Sequence, residues 1–164
     1  MRFKPRPPVR GPMCRLYGSL GNPRPTVVSE LVASERSLLR QADASPKTRQ
    51  ADGWGVGWYL PDRLPSIRRG VACAALEPDR ARFVEASEAA EPPLVIAHLR
   101  HASNPLRLPH ERLLGTENCQ PFSDGFVLFA HNGEISLPTE TRTRLGALGR
   151  KVRGVNDSEV LFWL

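Results

Sequence analysis

Three cysteines in 164 residues are too few for a disulfide scaffold, and Cys14, Cys73 and Cys119 fall at no spacing that a metal site uses. An odd number cannot all pair with one another, so a reduced, cytosolic setting is expected. No apolar run approaches the roughly 20 residues that cross a bilayer, which argues against a membrane span. No glycine-rich loop opens a helix in the manner of a nucleotide phosphate site. The formal charge of +6 comes from arginines scattered along the chain, not gathered into a stripe, so nucleic acid is not an expected partner. Neither a metal nor another cofactor is implied.

What remains is a chain with 40% hydrophobic residues, long enough for one domain with a real core. Its most informative feature is Met13-Cys14, followed by Arg15-Leu16-Tyr17-Gly18. Removal of Met13 makes Cys14 the first residue, and an N-terminal cysteine carries nucleophile and base together. The thiol supplies the attacking sulfur, and the α-amine, with an ordinary pKa of about 7.7–8.0, can take and return a proton near neutrality. Taken alone, the dipeptide is a weak signal and reads more readily as a buried core thiol.

Four further segments follow in order: Asp52-Gly53-Trp54-Gly55-Val56-Gly57, Ala97-His98-Leu99-Arg100-His101-Ala102-Ser103, Ala130-His131-Asn132-Gly133-Glu134 and Asn156-Asp157-Ser158-Glu159. Together with Cys14 they resemble the class II glutamine amidotransferases, which are N-terminal-nucleophile hydrolases. Met13-Cys14-Arg15, Asp52-Gly53-Trp54-Gly55 and Glu117-Asn118-Cys119-Gln120-Pro121-Phe122 are similar to the compact stand-alone branch, which includes γ-glutamyl amidohydrolases of glutathione breakdown and ergothioneine synthesis. The resemblance runs from Met13 to Leu164 and implies an α+β fold, the αββα sandwich of that superfamily.

The resemblance also assigns roles. Cys14 would attack the γ-carbonyl of glutamine or a γ-glutamyl compound and form a thioester. Asn132 and Gly133 match the oxyanion-hole pair, although Asn-Gly is also a favoured hairpin turn. Arg100 matches the residue that holds the substrate α-carboxylate, with Ser103 beside it, and Asp157 matches the acceptor of the α-ammonium. For these the plainer alternatives are a surface ion pair and a helix cap. His98 and His101 read more readily as structural, hydrogen-bonded residues than as catalysts. Gln120 departs from the family, which commonly has histidine there, and this puts any proton role at that position in doubt. Cys119 reads as a buried neighbour, and Gly53, Gly55 and Gly57 as scaffold, with Asp52 orienting a loop.

Residues 1–13 are basic and proline-rich up to Met13, without the apolar stretch of a secretory signal. They read as a disordered extension: either a start assigned too far upstream, with Met13 the initiator, or a propeptide removed later. Residues 14–164 form the domain. Pattern and punctuation predict strands over residues 14–20, 54–60, 67–75, 94–97 and 126–130, and helices over 27–40 and 79–90. A last helix starts near Asn156 and stops after barely two turns, as if the fold were truncated at its C-terminus. Uncovered sheet faces and poor solubility would follow.

The leading reading is therefore a glutaminase or γ-glutamyl amidohydrolase acting on a small molecule. The alternatives are a non-catalytic remnant, or a glutaminase component that supplies ammonia to a synthase partner chain.

Overall fold

The computed structural model describes residues 13–21, 27–91, 93–104, 106–135 and 138–164. The expected disorder of the basic extension lies outside the described residues, apart from Met13.

The fold is α+β and is organised around one antiparallel sheet. Strands β1 (Arg15–Leu20), β2 (Trp54–Tyr59), β3 (Pro65–Gly70) and β4 (Leu94–Leu99) lie in the order β1-β4-β2-β3. The pairing places Trp54 opposite Leu99, Val56 opposite Ala97 and Trp58 opposite Val95. Because side chains alternate across a strand, these six share one face, and all are buried. Helices α1 (Leu38–Ala42) and α2 (Asp79–Ala89) cover that face through Leu38, Leu39, Phe83 and Ala86. The Trp54 and Phe83 rings meet edge to face at 5.4 Å, and the Trp54 indole N–H donates to Asp79 at 2.7 Å. That bond satisfies the one polar atom of a fully buried ring.

The opposite face of β2 is stripped of side chains at Gly55 and Gly57. A Cβ on Gly57 would stand 2.7 Å from Pro121 and 3.1 Å from Leu128, and one on Gly55 would strike the Gln120 carbonyl. Gly53 also needs its lack of a side chain, since its φ is +119° and a Cβ would meet the Cys119 sulfur at 2.5 Å. The three glycines let the 119–121 segment lie flat on the sheet, which carries it toward the end of β4.

Three expectations need correction. The helix predicted over residues 27–40 is broken into a wide turn at Ser29–Ala33 and the short α1. Ser34 is extended, which ends the first piece, and Ser37 caps the restart by accepting from the Arg40 N–H with its hydroxyl. The buried strand predicted over 126–130 is only β6 (Leu128–Phe129), paired with β5 (Phe122–Ser123). The Asp124 carboxylate accepts from the N–H groups of Phe126 and Val127, bending those residues outward, where Phe126 is 73% exposed. The strand predicted over 67–75 is shifted, ending at Gly70.

Helices α3 (Pro138–Arg144) and α4 (Asp157–Phe162) close the chain. Asn156 caps α4 by accepting from the Ser158 N–H at 2.9 Å, as the helix-start pattern predicts. Phe162 stacks on Phe122 and Phe129, which fastens α4 to the β5–β6 hairpin. Among the described residues, no helix is long and apolar enough to cross a membrane.

Candidate active site

Cys14 stands immediately before β1, at the edge of the sheet where β4 also ends. Its Sγ donates to the His101 carbonyl and accepts from the His101 N–H, both at 3.3 Å. These are backbone contacts; among the described residues no side-chain base touches the sulfur. Burial pushes the Cys14 thiol above its ordinary pKa, against the opposing pull of the His101 backbone and the Arg100 charge. The thiol is thus protonated at neutral pH and needs a base to become a nucleophile.

Asn132 reaches the same point from the other side. Its Nδ2 donates to the Cys14 carbonyl at 3.1 Å. The loop that carries it is pinned at its first residue: Gln120 Nε2 donates to the His131 carbonyl, and Gln120 Oε1 accepts from the His131 N–H at 2.6 Å. A single amide thus takes both backbone groups of the residue before Asn132. The His131 ring in turn pairs with the Ser158 hydroxyl at 3.0 Å and lies over Gly133, where a Cβ would stand 2.6 Å from Nε2. Gly133 accordingly cannot carry a side chain while His131 keeps that position.

Arg100 follows β4 directly and is 3% exposed. Its Nη1 donates to the carbonyls of Asp52 and Leu113, at 3.1 and 2.8 Å, so two loops hold the guanidinium near Cys14. Asp52 returns the support by accepting from the Ala102 N–H at 2.8 Å, the loop-orienting role expected of it. Asp157 is buried at the start of α4, and its Oδ2 accepts from the Ile135 N–H at 2.6 Å. Ser103 is exposed in the loop after β4.

The structure therefore brings Cys14, Arg100 and Asn132 together, with Gly133 beside Asn132. Among the described residues no contact joins Asp157 or Ser103 to Cys14; Asp157 ties instead to the far end of the 131–135 loop. Gln50 and the His101 backbone are positioned at this site without a sequence signal of their own, and Gln120, marked in the sequence only by its departure from histidine, supports the loop of Asn132. The other two cysteines are buried. Cys119 is fully buried, donates to the Gly70 and Gly115 carbonyls, and has its pKa pushed up to about 11 by that burial. Cys73 is buried against the Ala42 carbonyl.

His98 departs from the hydrogen-bonded role expected of it. It is fully buried, and among the described residues neither ring nitrogen has a partner. Burial, with the charges of Arg100 and His131 adding, lowers its pKa from 6.5 to about 3. Between those values the unfolded chain binds a proton that the folded chain refuses, so stability rises with pH and is lost on acidification. The expected loss from this one residue is up to about 1.4 kcal/mol per pH unit across that window. Urea unfolding between pH 4 and pH 6.5 should show this slope, and His98→Gln should flatten it.

The profile of the glutamine amidotransferases class-II matches residues 13–163. Two curated relatives are both called gamma-glutamyl-hercynylcysteine sulfoxide hydrolase. One, from Mycobacterium tuberculosis strain CDC 1551 / Oshkosh, is 33% identical over 154 residues. The other, from strain ATCC 25618 / H37Rv, is 32% identical over 154 residues. Each alignment takes in 91% of this chain, and the chain spans 58% of the length of either relative. With its motifs matched in order from Met13 onward, the chain belongs to the class II glutamine amidotransferases.

Proposed function

We propose that residues 14–164 form an amidohydrolase domain that cleaves the γ-amide of glutamine or a γ-glutamyl compound through an N-terminal Cys14. The observation that carries this reading is the setting of the sulfur. It is held by the His101 backbone, next to the Asn132 amide, and among the described residues no side-chain base contacts it. The group that removal of Met13 would supply, the α-amine of Cys14, is the base such a site requires.

In this reading the reaction has two stages, acylation of Cys14 and hydrolysis of the thioester. The amine takes the thiol proton, and Sγ attacks the γ-carbonyl carbon to form a tetrahedral oxyanion. Asn132 Nδ2 and the Gly133 N–H donate to that oxygen. Collapse breaks the C–N bond, and the ammonium returns its proton to the departing amine or ammonia. Water, deprotonated by the same amine, then cleaves the thioester to release the glutamyl acid and regenerate the thiol. Arg100, assisted by Ser103, receives the α-carboxylate, and Asp157 receives the α-ammonium, so the amino-acid head group is selected by charges of opposite sign. The names of the two relatives favour a γ-glutamyl compound over glutamine itself as the substrate. An αββα sandwich and a cytoplasmic setting accord with this reading.

Hydrolysis of a γ-glutamyl anilide by the protein in two forms is the test. The form that begins at Cys14 should release the aniline, and the form that retains Met13 should not. Equal activity in both would end the N-terminal mechanism. Inactivity in both would favour a non-catalytic remnant, or a component that needs a synthase partner.

A further inference from the structure

Gln50 is 0% exposed, and its side chain is one of the largest fully buried groups in the protein. Its backbone N–H donates to the Ala42 carbonyl, which fixes the residue to the end of α1. Its side-chain Nε2 makes two hydrogen bonds, to the Thr48 carbonyl at 2.8 Å and to the Met13 carbonyl at 3.1 Å. Among the described residues its Oε1 has no partner. A buried amide oxygen without a donor is costly and demands an explanation.

The Met13 carbonyl belongs to the peptide bond that ends at the Cys14 nitrogen. When Met13 is removed, this acceptor disappears and a donor takes its place: an α-ammonium with three N–H protons, on a chain end that no peptide plane restrains. Among the described residues, Gln50 Oε1 is a buried acceptor that lacks a donor, on the same side chain that now holds the Met13 carbonyl. We propose that Gln50 is the positioning residue for the Cys14 α-amine, its Oε1 accepting from that amine and its Nε2 remaining on the Thr48 carbonyl. This inference rests on the reading of Cys14 as an N-terminal nucleophile. Gln50 does not touch the substrate; it acts by fixing the direction of the amine, so that one N–H is held back and the lone pair, once exposed, faces the sulfur.

Other charged groups also act on this site and are the same in every variant: Arg100 and Asp52 bear on Cys14, and His101 lines it through its backbone. The side-chain amide of Gln50 is neutral, and it therefore stabilises the ammonium less than a carboxylate would and more than an alkyl group would. That order gives a test with a readout other than catalysis.

Protein is expressed from Met13 so that removal of that methionine exposes Cys14, with cysteine 13C-labelled and the Cys14 thiol capped as a methyl disulfide. The Cys14 Cα resonance is followed against pH, so that it reports the amine alone. Gln50→Leu is expected to lower the midpoint by about half a unit, and Gln50→Glu, which keeps the shape of the side chain, to raise it by about one unit. If Gln50→Leu fails to fold, the isosteric Gln50→Glu decides. A Gln50→Glu midpoint equal to wild type would overturn the proposal, because a residue that merely fills the core leaves the titration unmoved. Shifted midpoints in a protein that hydrolyses no γ-glutamyl amide would sustain the positioning role and defeat the functional reading instead.

Discussion

Replacement of Cys14 by alanine is expected to lower kcat/KM for a γ-glutamyl amide by about 10⁴–10⁶-fold, the scale on which a covalent nucleophile is lost. Cys73→Ala should leave the activity near wild type. The contrast is informative because all three sulfurs are disfavoured as thiolates by burial, Cys119 with a pKa of about 11. What separates Cys14 is its position. It alone is partly exposed, at a strand end, with a side-chain amide from another loop on its own carbonyl. With the thiol raised and the amine as base, kcat/KM should climb with pH through the ordinary amine range of about 7.7–8.0. A profile that fell across that range would mean that the protonated amine, not the free base, is required. Substantial hydrolysis by Cys14→Ala would remove the thioester altogether.

Asn132→Ala is expected to cost about 10²–10³-fold in kcat with a much smaller change in KM, because the lost donor acts on charge that develops only in the transition state. Here the Nδ2 donates to the Cys14 carbonyl, so the side chain already faces the nucleophile and retains a second N–H for the oxyanion. Steady-state kinetics with one γ-glutamyl substrate would separate the two parameters. A rise in KM alone would assign Asn132 to ground-state binding. No change in either would return the Asn132-Gly133 pair to the plain turn that its sequence also allows.

The parts of the fold that were legible in the sequence are those where a local pattern and the tertiary environment agree. The alternation of aromatic residues and glycine from Trp54 marks β2, and the apolar run at Leu94 marks β4. Pro78 announces α2, and Asn156 announces α4. Where a polar side chain captured backbone groups, the pattern misled. Ser37 caps a new helix within an apolar stripe that reads as one, and Asp124 turns an apolar run that reads as a strand.

The site divides in the same way. Cys14, Asn132 and Gly133 can be proposed from motifs because the chemistry demands those residue types. Their supports are invisible in the sequence, because they act on main-chain atoms of residues far along the chain. Gln50 bonds the carbonyl of Met13, 37 residues away, and Gln120 bonds both backbone groups of His131, 11 residues away. The departure at Gln120, which cast doubt on its role as a proton carrier, is resolved by this geometry: an amide offers one donor and one acceptor side by side, which a neutral histidine ring does not present to a single peptide unit. Gly55 and Gly57 give the complementary case, in which the required feature is an absence of atoms.

The central claim is that Cys14, as the first residue of the chain, forms a covalent glutamyl intermediate. The most direct test is mass spectrometry of protein beginning at Cys14, mixed with a γ-glutamyl anilide and quenched in acid during turnover, followed by peptide mapping. The account predicts an added mass of one glutamyl group, confined to the peptide that starts with Cys14 and removed by hydroxylamine, as a thioester should be. A protein that turns over substrate yet carries no adduct there, or carries it on Cys73 or Cys119, would contradict it.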